Sequence, residues 1–158
     1  MSQTIRPQVS FHTGVTDVPA YALRLLRKAM GQQSVLRVTG DARWLDALDE
    51  MLWTDSPDSF WPHARIKPAA ERSAAVLSDG AKLAPVWLVD AASGPEGPIA
   101  SGSPRALVNL GGEAPQNWQQ WDKIIELVST DPQDREAAQA RWRYYRSLGL
   151  EPSHHAAK

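Results

Sequence analysis

The sequence predicts an open α/β sheet of mostly parallel strands with helices on both faces. Short strand-like segments alternate with amphipathic helical segments through short connections, which is typical of parallel strands joined by helical crossovers. The chain has 158 residues, 42% apolar and 22% charged, enough for one domain with an apolar core. We expect a single domain over residues 1–150, followed by a short, polar and mobile tail at 151–158.

The N-terminal part of the chain predicts two strand–helix units. Residues Gln8–His12 alternate polar and apolar side chains, the period of a strand with one buried face. The segment Thr16–Pro19 supplies an N-cap and a first-turn proline for a helix that continues to Gly31. Val35–Thr39 predicts the second strand, and apolar residues at helical spacing then mark a second helix to about Trp53.

The middle of the chain predicts a long connection and two buried strands. Thr54–Ala84 combines three prolines with scattered charge, so we expect mainly loop, with room for a short helix. Pro85–Val89 and Ala106–Leu110 are short apolar runs typical of buried strands, separated by the turn-rich segment Ser93–Pro104. We expect these two strands to be neighbours in the sheet.

The C-terminal part predicts one more strand and a long helix. Trp118–Trp121 has the spacing of a short helix, and Lys123–Val128 returns to strand. Asp131 is a good N-cap followed by proline at the first helical position, so the last helix should begin there. It should run to Leu148 and end at Gly149, the residue type that favours a left-handed cap.

Composition and charge exclude several classes of function. The chain has no cysteine, which excludes disulfides and thiolate catalysis. No apolar run approaches the roughly 20 residues of a membrane-spanning helix, and residues 1–6 lack a secretory pattern, so we expect a cytoplasmic protein. A net charge of −1 disfavours direct binding to a nucleic-acid backbone.

No motif for a cofactor, a metal ion or a catalytic centre emerges from the sequence. The turn after the first strand has no phosphate-binding glycine pattern, and Asn109–Glu113 is more simply a turn than a phosphate cradle. The adjacent His154 and His155 lack the spacing of helical metal ligands and are interpreted as surface residues. Carboxylates such as Asp46 and Asp49 fit the solvated face of a helix.

The last helix carries a basic and aromatic face. Three arginines, one glutamine and one tryptophan share it at helical spacing. Such a face suits an acidic peptide with an aromatic anchor, through charge-assisted hydrogen bonds and stacking. An ordinary basic surface near a helix C-terminus explains the pattern equally well. The residues of this face are Arg135, Gln139, Trp142, Arg143 and Arg146.

A second informative segment is Leu52–His63, in which three large aromatic residues flank a proline-containing turn. Aromatic side chains presented from a loop can anchor a protein–protein interface. Core packing is the competing interpretation for each of these rings.

Three blocks of the sequence together resemble the chi subunit family of DNA polymerase III. They are Leu45–His63, the strand Ile124–Val128 that leads into Asp131, and the basic-aromatic helix Arg141–Gly149. The resemblance extends from the first strand to Leu150. It implies a Rossmann-like α/β fold without nucleotide binding, no cofactor and no enzymatic activity. The alternatives from the residues alone are a Rossmann-like nucleotide-binding protein or enzyme, or a direct nucleic-acid binder.

The resemblance also implies partners and site residues. Proteins of the chi family join the psi subunit of the clamp loader, as a one-to-one heterodimer, to the acidic, phenylalanine-ended tail of single-stranded DNA-binding protein. Trp53 and Phe60 match the aromatic residues that contact psi. Gln139 stands where the family pattern suggests an arginine. The residues that match the tail-binding helix are Arg135, Trp142, Arg143 and Arg146.

Overall fold

The computed structural model describes residues 7–30, 35–54, 63–66, 86–90, 105–111, 114, 118 and 121–157. In this part of the chain, seven strands form one sheet in the order β3-β4-β2-β5-β6-β1-β7, and every pairing is parallel. The elements are β1 (Gln8–Val15), α1 (Val18–Met30), β2 (Val35–Gly40), α2 (Ala42–Thr54), β3 (His63–Ile66), β4 (Val86–Asp90), β5 (Arg105–Asn109), β6 (Lys123–Ser129), α3 (Pro132–Ser147) and β7 (Ser153–Ala156).

The helices cover both faces of the sheet, as predicted. Strand β6 shows the division, because alternate side chains of a strand point to opposite faces. Ile125 and Leu127 belong to the apolar cluster beneath α1 and α2. Ile124 and Val128 belong to the cluster beneath α3. The predicted open α/β architecture is therefore confirmed.

The predicted helix ends are confirmed by their capping hydrogen bonds. At the start of α1, the Asp17 carboxylate accepts a hydrogen bond from the N–H of Ala20 (3.1 Å). At the start of α3, Asp131 accepts from the N–H of Gln133 (2.8 Å), and a proline occupies the first helical position. Gly149 follows α3 with φ of 83°, a conformation that glycine adopts without steric cost.

The predicted adjacency of the two middle strands is wrong. Strand β2 lies between β4 and β5 and pairs with both, so that Arg37 is in register with Trp87 on one side and Leu107 on the other. The prediction relied on closeness along the chain. A parallel connection can cross over an intervening strand, so closeness in sequence does not fix adjacency.

The segment expected to be mainly loop contains a strand. Residues His63–Ile66 form β3 and pair with β4 at one edge of the sheet. Four residues are too short to show a period, which explains why the pattern missed them. The other residues of that segment, including the expected short helix, lie outside the described residues. In the expected helix at Trp118–Trp121, the N–H of Trp121 donates to the carbonyl of Trp118 (3.3 Å), and the residues between them also lie outside.

The C-terminal segment, which we expected to be a short polar tail, contains a strand. Residues Ser153–Ala156 form β7, which pairs in parallel with β1 and brings His154 into register with Phe11. The N–H of Ala157 also donates to the carbonyl of Thr13 (2.8 Å). All four residues of β7 are exposed, so main-chain hydrogen bonding to β1 holds this strand rather than apolar burial.

Candidate functional site

A buried polar network fixes helix α3 to the sheet. The side chain of Glu126, on β6, is fully buried. One of its oxygens accepts hydrogen bonds from the Tyr145 hydroxyl (2.6 Å) and the Asn109 amide (3.2 Å). The other oxygen accepts from Nε of Arg141 (2.8 Å). Two of these donors are on α3, so the network sets the position of the helix relative to the sheet.

Burial shifts the pKa values of two groups in this network. Burial raises the pKa of the Glu126 carboxyl group, and Arg141 together with the three hydrogen bonds opposes this effect. Burial and the neighbouring Glu126 raise the pKa of the Tyr145 hydroxyl. Sequence reasoning missed Arg141 as a buried residue. The available signal was its helical spacing, since Arg141 lies three positions after Ala138 and four before Tyr145, and both of these residues are buried.

Next to the buried stripe, α3 carries the predicted basic face. Arg135, Gln139, Arg143 and Arg146 are exposed on this helix. Trp142 is half-buried, and its ring meets Phe11 of β1 edge to face with 5.1 Å between centroids. The helix therefore places an aromatic ring beside a row of cationic side chains.

A pocket of about 410 Å³ opens between α3 and the carboxyl ends of β1 and β6. It brings together Arg135, Gln139 and Trp142 of the predicted site, whereas Arg143 and Arg146 are exposed on the same helix outside its lining. The remaining lining residues were not assigned from the sequence. They are Phe11, Thr13, Gly14, Val128, Thr130, Ala138 and His154.

The lining combines an apolar part with hydrogen-bonding groups. Phe11, Ala138 and Trp142 supply apolar and aromatic surface. Arg135 and Gln139 supply a cation and an amide. A ligand with both a ring and a carboxylate matches this combination, because guanidinium groups form charge-assisted hydrogen bonds with carboxylates and rings pack edge to face. Phe11 and Thr13 could have been recognised only by placing β1 next to β6.

The other predicted contact surface is described only in part. Trp53 lies at the C-terminal end of α2 with 60% of its side chain exposed. The helix buries Leu45, Leu48 and Leu52 against the sheet, which leaves Trp53 on its outer side. Phe60 lies outside the described residues.

The turn after β5 uses its main-chain donors internally. The N–H of Leu110 donates to the carbonyl of Thr39 (2.7 Å), and the N–H of Gly111 donates to the Asn109 side chain (3.1 Å). Gly40 packs so closely that an added Cβ would lie 2.9 Å from Cβ of Leu110. A phosphate cradle needs main-chain N–H groups aimed at a ligand. These described residues instead form a structural turn.

A polar cleft lies on the α1 side of the β1–β7 edge. Nδ1 of His12 and the Tyr21 hydroxyl are 2.5 Å apart, and the His12 and His155 rings lie 5.2 Å apart between centroids. Burial lowers the pKa of His12, and the nearby His155 and Lys123 lower it further. The edge strand β7 thus carries one histidine on each face of the sheet.

The fold and the site define an α/β protein with a Rossmann-like sheet and a basic, aromatic-lined pocket beside its last helix. The family model described as DNA polymerase III chi subunit, HolC, matches residues 7–153. The chain therefore belongs to the chi subunit family, whose members are accessory subunits of a replicative DNA polymerase. The predicted resemblance is confirmed.

A comparison with curated proteins found no match. Among the described residues, no helix is long and apolar enough to span a membrane.

Proposed function

We propose that this protein is a non-catalytic adaptor that joins the clamp loader, through the psi subunit, to the acidic tail of single-stranded DNA-binding protein. The observation that carries the proposal is the pocket beside α3. It combines Arg135 with the aromatic pair Phe11 and Trp142 in a single cavity. Membership of the chi family supports the same role.

The chemistry of the pocket suits an acidic peptide that ends in phenylalanine. The phenylalanine ring enters beside Trp142 and Phe11, where two rings already meet edge to face. The peptide's carboxylates face Arg135 in the pocket, and Arg143 and Arg146 extend the positive surface along the helix. Charge steers the peptide to the helix, and the ring anchors it.

Gln139 modifies this site relative to the family pattern. An amide can hydrogen-bond to a carboxylate, but it contributes no charge to attract one. Because Gln139 lines the pocket directly, the missing charge lies next to the bound peptide. We expect Gln139→Arg to raise the affinity and to make it more sensitive to salt.

The psi contact is assigned to Trp53 and Phe60 through the family resemblance. An exposed tryptophan at the end of a helix supports this assignment, because tryptophan is enriched among the residues that dominate binding energy at interfaces. Two partners on separate surfaces allow one chain to bring the clamp loader to coated single-stranded DNA. The resulting local concentration strengthens the association without any contact between this protein and a base.

The experiment that tests the proposal is calorimetric titration of the protein with a peptide that carries an acidic run and a C-terminal phenylalanine. We expect saturable binding that weakens as salt rises, because the exposed charges are screened over about 8 Å at physiological ionic strength. Arg135→Ala should weaken binding about three- to tenfold, and Arg143→Ala should weaken it less. Trp142→Ala should abolish the contribution of the C-terminal phenylalanine to the affinity of the peptide.

Arg24→Ala is the matched control, since Arg24 is an exposed arginine of α1, on the other face of the sheet. It removes the same charge and should leave the affinity unchanged. A well-folded wild-type protein that does not bind the peptide contradicts the proposal. Equal losses of peptide affinity in Arg24→Ala and Arg135→Ala would show that binding depends on net charge and not on this pocket.

A further inference from the structure

Strand β7 carries a histidine into the pocket beside α3. His154 lies in register with Phe11 of β1, and paired residues of parallel strands point to the same face of a sheet. Phe11 contacts Trp142 of α3, so His154 lies on the α3 side as well. The pocket lining includes His154 together with Arg135 and Trp142.

A hydrogen bond holds the imidazole in place. Nε2 of His154 lies 2.6 Å from the Thr13 hydroxyl, and Thr13 also lines the pocket. When the hydroxyl donates to Nε2, the neutral ring carries its proton on Nδ1. Nδ1–H is then a donor held at a fixed place in a pocket that already contains a guanidinium group. Donors of this kind bind carboxylates.

We propose that His154 is a peptide-contacting residue that donates a hydrogen bond to a carboxylate of the bound acidic peptide. This inference rests on the proposed function of the pocket. The family model matches residues 7–153, and His154 lies just beyond the match. The strand formed by Ser153–Ala156 is then part of the peptide-binding site and not only an edge of the sheet.

The adjacent histidine provides a matched control. His155 is in register with His12, and its ring faces the α1 side of the sheet at 5.2 Å from the His12 ring. Replacing either histidine by alanine removes the same side chain from the same exposed strand. Only His154 lines the pocket beside α3, whereas His155 lines the cleft with Tyr21.

The test is calorimetric titration of wild type, His154→Ala, His154→Asn and His155→Ala with the acidic, phenylalanine-ended peptide. His154→Ala should weaken binding about three- to tenfold, the typical net effect of losing one hydrogen bond. His154→Asn should recover part of the loss, because the asparagine amide places an N–H near the position of Nδ1. His155→Ala should bind like wild type.

Two peptide forms identify which carboxylate is bound. If the loss in His154→Ala disappears with a C-terminally amidated peptide, the partner is the terminal carboxylate. If the loss persists, the partner is an acidic side chain. On adding peptide, the ring resonances of His154 in the NMR spectrum should shift more than those of His155.

The outcomes separate this inference from the proposed function. Wild-type binding that His154→Ala leaves unchanged overturns the role of His154 and leaves the adaptor proposal intact. Equal losses in His154→Ala and His155→Ala also overturn it, because they indicate detachment of β7 and not a lost contact. A wild-type protein that does not bind the peptide overturns the proposed function, and this inference with it.

Discussion

Arg141 shows how a single residue of α3 can differ in role from its neighbours. Its side chain is buried and bonded to Glu126, whereas Arg143, two positions further along, is exposed. Replacing one partner of a buried ion pair leaves an uncompensated charge in the interior, which is far more destabilising than losing an exposed pair. The stability of the helix position therefore depends on an arginine that does not contact the proposed ligand.

We predict that Arg141→Ala lowers the free energy of unfolding by about 3–5 kcal/mol, because it leaves the buried Glu126 carboxylate without its cationic partner. Urea unfolding monitored by tryptophan fluorescence measures the change. Arg143→Ala should stay within about 0.5 kcal/mol of wild type, since it removes an exposed side chain. The double variant Glu126→Gln/Arg141→Met should recover part of the loss, because it removes the unpaired charge while the glutamine carbonyl can still accept from Tyr145 and Asn109. Similar stabilities for the two single alanine variants would contradict the structural role of the pair.

At the residue scale, the sequence indicated the exposed half of the site but not the buried half. Arg135, Gln139 and Trp142 were predicted from helical spacing and line one pocket. Helical spacing alone could not predict the burial of Arg141, because this burial depends on a partner elsewhere in the chain. Arginine is rarely buried unless it is paired, and its partner Glu126 lies 15 positions earlier in a strand. Such a pairing becomes visible only when α3 is placed on β6.

At the scale of elements, strand β7 lies beside a histidine whose pKa the fold lowers. The His12 side chain contacts Tyr21 of α1 and faces His155 of β7, with Ser10 of its own strand also nearby and Lys123 of β6 adding positive charge. Burial, then His155, then Lys123 lower the pKa of His12 below the ordinary value of 6.5. The native state therefore holds this histidine neutral at a pH where the unfolded chain has begun to bind a proton.

We predict that His12 makes the protein less stable as the pH falls below 6.5. Below this value the unfolded state binds more protons than the native state, so the free energy of unfolding decreases as the pH falls. The stabilisation is fully present above pH 6.5 and is lost on approaching the native pKa of His12. Thermal unfolding of wild type and His12→Gln at about pH 7.5 and pH 5.5 measures the effect. The wild type should lose more stability between the two values.

Hydrogen exchange locates the same effect in the structure. Protonation of His12 opposes the approach of His155, so main-chain amides of β7 should exchange faster at the lower pH in wild type than in His12→Gln. Thr39→Ser, a conservative change in β2 outside this cleft, serves as a control for general destabilisation. An identical pH dependence in wild type and His12→Gln would contradict the assignment of this effect to His12.

The helices were predictable as elements because their signals are local. Asp131 and Pro132 mark the start of α3, and Gly149 marks its end, without reference to any other part of the chain. Strands β3 and β7 were not predictable in this way. Each has four residues, lies at an edge of the sheet and is held by a partner strand that is distant along the chain. No local pattern carries that information.

At the scale of the whole molecule, the sheet separates the two proposed contact surfaces. Trp53 is on α2, which packs on one face together with α1. The pocket that contains Trp142 lies beside α3 on the other face. Strand order decided this separation, and the sequence predicted helices on both faces without predicting which strands would be neighbours. The parallel sheet lies between the two surfaces, so neither partner needs to displace the other.

We predict that the two surfaces bind their partners independently. Trp53→Ala should weaken binding of psi at least tenfold, as expected for an exposed aromatic anchor, and should leave the affinity for the acidic peptide unchanged. Trp142→Ala should have the opposite effect. The two changes lie on opposite faces of the sheet. The double variant should therefore bind psi as weakly as Trp53→Ala and bind the peptide as weakly as Trp142→Ala. Titration of each variant with psi and with the peptide, alone and in the presence of the other partner, measures the two affinities and any coupling between them. If either single variant retains the wild-type unfolding midpoint but loses affinity for both partners, the two surfaces are coupled. Binding at one face of the sheet would then change the affinity at the other face.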